Sequence, residues 1–260
     1  MRLYAIKTDT VETGEDLAEK ALDSMKKQKL QFENNDILAL TSKIVAYSQG
    51  RIVRLSEIRP SEEARKLAKK HSLQPEFAEL ILRESDEILG GVKKAVLTIK
   101  NKILTANAGI DNKNAPLGFA VLWPTDTEES ADNIREQIMK ATGKKIGVLI
   151  VDSGLVPLRI GTTGMAVAVA GFKPIRDTRG QPDIFGKPLV ITRHAVADDL
   201  ASAAHLLMGE AAEKTPLVLI RDAPVEFDDG IYGSGDMMMP FQECLFMGTL
   251  KLAHKTKASG

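Results

Sequence analysis

The run Ile146 to Val151, "IGVLIV", carries no polar side chain and constrains the chain more than any other stretch. An apolar segment this short, bounded by stop signals, reads as a strand buried on both faces. The signals are present on either side. Gly143 closes the helix-patterned "DTEESADNIREQIMKATGK", and the run stops at Asp152-Ser153-Gly154. A carboxylate delivered at the end of a rigid strand is either a turn former or a ligand.

The rest of the chain supplies elements of both kinds. "RLYAI" alternates as a first strand, "GEDLAEKALDSMKKQKL" repeats Leu17, Ala21 and Met25 at helical intervals, and "DILALTS" is a second strand. That strand is expected to continue through "IVAYS" to a turn at Gly50 and a short partner, "RIVRL". "RPSEEARKLAKKH" opens with a serine cap and acids, and "QPEFAELILRES" has Pro at its start, so a helix pair comes next. "GVKKAVLTIKNKILTANAGID" gives a hairpin about a Lys-Asn-Lys turn. Beyond Asp152 come a strand "TGMAVAVAG", a loop rich in Pro, Gly and Arg, a helix "ADDLASAAHLLMGEA" and a strand "PLVLIR". "GIYGSGDMMMP" reads as a mobile loop, and "FQECLFMGTLKLAHK" as a packing helix with Phe241, Leu245 and Phe246 inward and Cys244 as buried filler. Hairpins mixed with isolated helices give a mixed α/β, α+β-like fold rather than a doubly wound sheet. No linker divides the 260 residues, which read as a single domain over 1–260.

Thirty-five basic residues cancel thirty-five acidic ones, so no global field attracts a polyanion, and nucleic acid is not an expected partner. The single cysteine suits a reducing compartment. "MRLYAIKTDT" lacks the apolar core of a signal peptide, and no apolar run approaches the roughly 18 residues of a membrane helix. A soluble cytoplasmic protein without a membrane partner is expected.

The common catalytic signatures are missing: no G-x-x-x-x-G-K-[ST], no G-x-G-x-x-G after a strand, no H-E-x-x-H and no G-x-S-x-G. His71, His194, His205 and His254 are scattered singly and read as surface or core histidines. Acids at the ends of ordered elements stand out instead. Asp111 comes after a strand in "NAGIDNKN", Asp152 after another beside Ser153, and Glu210 sits past the glycine that ends an alanine-rich helix. Hard oxygen donors on separate rigid elements suit Mg²⁺ or Mn²⁺, although Asp and Asn after strands are also ordinary turn residues.

Longer strings narrow the choice. "NAGIDNKN", "VDSG" with "PLRIGTTGMAVAVAGFKPIRDTRGQPDIFGKPL" after it, and "ADDLASAAHLLMGEA" occur in this order. With "GEDLA", "DILALTSKIV", "GRIV", "PSEEARKLA" and "ILRES" upstream, they resemble the coenzyme F420-0:L-glutamate ligases, the γ-glutamyl ligases of deazaflavin coenzyme synthesis. The resemblance runs from Lys7 to about Arg221, and the string Asp177 to Gly186 is its most specific part.

The resemblance implies a mixed fold of two interleaved lobes that dimerises through intertwined elements. It implies GTP-dependent amide ligation, in which an acceptor carboxylate takes the γ-phosphate and the amino group of L-glutamate attacks the acyl phosphate. Two divalent ions, Mg²⁺ or Mn²⁺, would shield the triphosphate, with K⁺ as a candidate further ion. Carried over by position, Asp111, Asp152, Ser153 and Glu210 match the metal ligands, Asp152 and Arg159 the catalytic positions. Thr8, Asp9, Thr10, Val11, Ser42, Lys43, Asn114, Met208, Gly209 and Glu210 match nucleotide contacts. Arg176, Asp177 and Arg179 fall in the motif-rich stretch, where guanidinium groups hold phosphate, carboxylate or the loop itself. Two departures are visible: Tyr47 stands where the family's pattern has lysine, and Leu155–Val156 replace Gly-Arg. A phenol supplies no permanent cation, so either Lys43 substitutes or nucleotide binding differs. The acceptor is F420-0 or a folate, and a nucleotide-binding protein without turnover is the reading from a different class.

Overall fold

In the computed structural model, which describes residues 1–249, the Ile146–Val151 run lies at the centre of a sheet. From the N-terminus, strand β1 (Arg2–Ile6) and helix α1 (Leu17–Lys27) lead to strand β2 (Ile37–Thr41) and helix α2 (Ser42–Ser48). Next come strand β3 (Ile52–Arg54), helices α3 (Glu62–His71) and α4 (Pro75–Glu84), and strands β4 (Glu87–Val92), β5 (Ala95–Lys100), β6 (Ile103–Ala106) and β7 (Phe119–Val121). Helix α5 (Thr127–Thr142) precedes the long hairpin of β8 (Gly147–Leu155) and β9 (Thr162–Phe172). The chain continues through β10 (Arg176–Asp177), β11 (Arg193–His194), helix α6 (Val196–Met208), β12 (Leu217–Arg221) and β13 (Phe227–Tyr232) to the short helices α7 (Ser234–Met237) and α8 (Leu245–Thr249). The fold is mixed α/β, as the sequence pattern implies.

Among the described residues two compact units are formed, residues 1–51 with 123–237, and residues 52–122 with 238–249. The first holds the sheet β1-β12-β2-β8-β9-β13, in which only β2 and β8 are parallel. Burial on both faces explains why Val148, Leu149 and Ile150 show no alternation: all three are fully buried. Helix α6 covers one face, with Leu200, Ala201, Ala204 and Met208 in a core with Val151, Val169, Val218 and Ile220. Gly164 on β9 permits this contact, because a Cβ there would lie 2.1 Å from the Ala201 carbonyl oxygen. Among the described residues no helix is long and apolar enough to cross a membrane.

The second unit contains the sheet β4-β5-β6, the pair β3-β7 and helices α3 and α4 around Phe77, Leu80, Ile81, Val96 and Ile110. The β5–β6 hairpin turns at Asn101 and Lys102, both at positive φ as a two-residue type I′ loop requires. Strand β4 is an addition to the sequence reading, which Gly90-Gly91 obscures.

Four local expectations need correction. "IVAYS" is helical: α2 buries Ser42, Ile44, Val45 and Ala46 over about half of its circumference, and Gly50, at φ 70°, closes it with Arg51 N–H bonded to the Ala46 carbonyl. "RIVRL" accordingly pairs with β7 rather than with a continued β2. Near the C-terminus, Met247 is the buried residue of α8, while Leu245 and Phe246 are exposed and Cys244 is half-buried. "GIYGSGDMMMP" carries the end of β13 and all of α7. The expected C-terminal helix beyond Thr249 lies outside the described residues.

Helices α3 and α4 are joined through one carboxylate. Glu79 accepts from Ser61 N–H at 2.8 Å and from Arg83 Nε at 2.8 Å. The Ser61 hydroxyl and N–H, with Arg83, hold its carboxyl down at about 2, against 4.5 for the free group. Because the folded value is depressed, this contribution is complete above about pH 4.5 and is lost as pH falls toward 2. Glu79→Gln is expected to cost about 1–3 kcal/mol at neutral pH and to flatten the acid limb of stability, read from urea midpoints across pH. Parallel acid limbs in the two proteins would refute the assignment.

Candidate active site

The strand order brings four chain segments to one end of the first unit. Ile6 of β1 lies opposite Leu217 of β12, Leu217 opposite Leu40 of β2, and Thr41 beside Val151 of β8. The segments leaving β1, entering β12 and extending beyond the paired parts of β2 and β8 therefore lie at the same edge: Thr8 to Val11, Glu210 to Thr215, Ser42 with Lys43, and Asp152 with Ser153. Thr8 N–H bonds the Lys214 carbonyl at 3.1 Å and Thr41 N–H the Pro216 carbonyl at 3.0 Å, tying these segments. The carboxyl end of parallel neighbours is where open α/β sheets bind ligands, because strands stop there and loops take over.

Asp152 does not form a turn. β8 runs past it to Leu155, with Asp152 opposite Met165 and Ser153 opposite Gly164 of β9. Its parallel neighbour β2 has already ended at Thr41, so Asp152 is the first β8 side chain beyond the part of the strand flanked on both sides. Ser42, buried at the start of α2, donates through Oγ to Asp152 Oδ1 at 2.6 Å.

Successive strand side chains leave on opposite faces, so Ser153 turns toward α6. Ser153 Oγ donates to Glu210 Oε1 at 2.9 Å, and Thr162 Oγ1 donates to the same oxygen at 2.5 Å. His205 Nε2 lies 2.9 Å from that oxygen and 3.2 Å from Ser153 Oγ. Burial pushes the Glu210 carboxyl upward, but bonds from Thr162, Ser153 and His205 outweigh it and hold the group below its ordinary value. Glu210 is therefore an anion at neutral pH. Its backbone is set by Gly209, whose φ 72° and ψ −177° suit only glycine. Met208, just before it, is core.

Asp152 with the Ser42 hydroxyl, and on the opposite face Glu210 with the Ser153 hydroxyl, are two sets of hard oxygen donors, each with one carboxylate. Among the described residues no three His, Cys, Asp or Glu side chains gather into one metal-ready group. The arrangement fits a cation such as Mg²⁺ or Mn²⁺, which takes one or two carboxylates and completes its shell with water and substrate oxygens.

Residues 5–222 match the model of the F420-0:Gamma-glutamyl ligase family. The chain belongs to this family. The coenzyme F420:L-glutamate ligase of Methanocaldococcus jannaschii is 39% identical over 216 residues, 83% of this chain and 86% of its own. That of Methanothermobacter thermautotrophicus is 39% identical over 215 residues, covering 82% and 85%, and that of Archaeoglobus fulgidus is 36% identical over 211, covering 81% and 83%.

The remaining family positions divide between the two units. Asp111 and Asn114 belong to the second, where Asp111 pairs with Val121 through two backbone bonds and accepts from Lys113 N–H at 2.7 Å. Asn114 is exposed with φ 52°. Asn107 is structural, accepting from Val96 N–H at 2.8 Å. In the first unit, Arg159 is exposed in the β8–β9 connection, with its N–H on the Val156 carbonyl. Lys43 and Tyr47, four residues apart on α2, share a helical face, which sets a cation beside the family's missing lysine. Asp9 lies 3.5 Å from Lys27, and the Thr10 carbonyl accepts from Lys20 Nζ.

The family's most specific string is largely spent on its own loop. Arg179 binds Asp177 with its guanidinium and N–H and holds that carboxyl at about 2, while Asp183 Oδ1 accepts from Phe185 and Lys187 N–H. Arg176 donates to the Pro224 carbonyl. The residues that sequence reading gives no reason to single out are His205 and Thr162. The one available signal is that His205 is the basic residue in the last turn of α6, just ahead of Gly209-Glu210.

Proposed function

We propose that this protein is a GTP-dependent γ-glutamyl ligase that joins L-glutamate to coenzyme F420-0, assisted by Mg²⁺ or Mn²⁺. The observation that carries the reading is its identity to coenzyme F420:L-glutamate ligases over a stretch that contains the whole sheet end built from Thr8–Val11, Ser42, Asp152 and Glu210. An acceptor carboxylate oxygen attacks the γ-phosphorus, and the bond to GDP breaks. The glutamate nitrogen then attacks the acyl carbon, the C–O bond to phosphate breaks, and the amine loses a proton as the amide forms.

In this reading Ser42, Lys43 and residues 8–11 hold the nucleotide together with Met208 and Gly209. Asp152 and the Ser153–Glu210 group hold the cations, and Arg159 serves substrate carboxylates or phosphate. Asp111 and Asn114 enter it through the family pattern. The bound cations supply charge neutralisation along the triphosphate. The protein acts as a homodimer; the fully exposed Leu158 and Ile160 and the exposed Ile184, Phe185, Val190 and Ile191 give apolar surface for a second copy.

A folate acceptor is the second reading, favoured by Leu155 and Val156, which present exposed apolar surface where the family pattern has Gly-Arg. Phosphate release in K⁺-containing buffer, with each component omitted in turn, tests the scheme. Release that requires nucleotide, divalent cation, L-glutamate and one acceptor is expected. Release indifferent to glutamate and to both acceptors would overturn it.

A further inference from the structure

The geometry points to His205 and Thr162 as positioning residues that commit one oxygen of Glu210 to the protein and present the other to a divalent cation. This rests on the proposed role of Glu210 as a cation ligand. Three donors from three elements converge on a single atom: Ser153 Oγ of β8, Thr162 Oγ1 of β9 and His205 Nε2 of α6 all meet Glu210 Oε1. A carboxylate oxygen has about two lone-pair sites, so three contacts more than fill Oε1, and His205 Nε2 shares its proton between that oxygen and Ser153 Oγ, 3.2 Å away. Among the described residues no hydrogen bond of Glu210 goes to Oε2.

A helix-end ion pair alone would need only His205 and Glu210. It does not account for two hydroxyls from separate strands aimed at the same oxygen. Because a carboxylate only accepts, Nε2 carries the imidazole proton in this contact. Ser153 donates its own proton to Glu210, which leaves its oxygen lone pairs as acceptors. The imidazole is well placed to act as a fixed post: its side chain is 14% exposed, whereas that of Glu210 is 46% exposed. Gly164 lets the helix bring it there, since a Cβ at Gly164 would come within 2.8 Å of the His205 Cβ. Left unpinned, a long half-exposed glutamate would populate several rotamers, and a cation would have to select one of them. Outer partners that orient a ligating carboxylate commonly govern metal affinity in this way.

The test is Mn²⁺ affinity, read by electron paramagnetic resonance on the full chain with a non-hydrolysable GTP analogue, so that no turnover is needed. His205→Ala and Thr162→Val are each expected to weaken Mn²⁺ about 10-fold. His205→Gln, whose amide N–H can reach Oε1, and Thr162→Ser, which keeps the hydroxyl, are expected to restore binding to within about 3-fold of the starting protein. Urea midpoints are recorded alongside, and Thr162→Val carries the test if His205→Ala fails to fold. Lost stability with undiminished Mn²⁺ affinity in both variants would overturn the positioning role, provided Glu210→Gln weakens the ion. Full affinity in Glu210→Gln, or no Mn²⁺ binding by the unaltered protein, would overturn the cation-ligand reading as well.

Discussion

Arg221→Ala is expected to destabilise the first unit by about 3–5 kcal/mol, seen as a loss of urea midpoint. Asp36, at the entry to β2, is fully buried, and Arg221, at the end of β12, is its partner. The guanidinium makes a fork: Nε to Asp36 Oδ1 at 2.8 Å and a terminal nitrogen to Oδ2 at 2.7 Å. The same group reaches the Gln31 carbonyl at 2.8 Å and Glu33 at 2.5 Å, and stacks 5.7 Å from the Tyr4 ring centroid. The Asp36 bond, opposed by burial, raises the guanidinium above its ordinary value, so the arginine stays charged wherever the protein folds. Removing the arginine strands a carboxylate that has lost its water, which is why the cost exceeds that of a surface pair. Arg221→Lys keeps the charge but loses the fork, and a smaller loss is expected. A double change to Asp36→Asn and Arg221→Met is expected to recover part of the stability, since no ion is then buried. A loss below about 1 kcal/mol in Arg221→Ala would contradict this account.

The second large effect concerns chemistry rather than folding. Asp152→Asn is expected to lower turnover by about a hundredfold or more, because several kcal/mol of charge stabilisation are at stake and about 1.4 kcal/mol is tenfold in rate. The amide oxygen of asparagine can still accept from Ser42, so that contact survives. Folding is therefore expected to change by less than about 1 kcal/mol. Unaltered turnover in a variant with unaltered stability would remove Asp152 from the site.

The sequence and the structure agree where local pattern and burial coincide. The Lys100-Asn101-Lys102 hairpin is legible because side-chain alternation and a two-residue turn fix its register together. The run Ile146 to Val151 is legible because its short length between Gly143 and Asp152-Ser153-Gly154 favours a doubly buried strand over a buried helix, and its side chains are buried. Reading fails where tertiary packing overrides local preference. β-Branched Ile44 and Val45 suggest a strand, yet tertiary burial of Ser42, Ile44, Val45 and Ala46 and the closing Gly50 decide for α2. Asp152-Ser153-Gly154 looks like a turn, but pairing with Met165, Gly164 and Thr163 carries the strand through it. Glu210 could be found as an oxygen donor just past the end of α6, and Asp152 as one that closes an apolar run, although β8 continues beyond it. The partners of Glu210 could not, because the packing of α6 on β9 is what brings His205 and Thr162 to it, Thr162 from 48 residues away.

The central claim is a bond between glutamate and an acceptor carboxylate, and the mass of the product tests it most directly. Purified protein with GTP, Mn²⁺, L-glutamate and F420-0 should yield an acceptor one glutamyl unit heavier, with one GDP and one phosphate for each amide formed. A reaction that consumes GTP and leaves both F420-0 and a folate at their starting mass would contradict it.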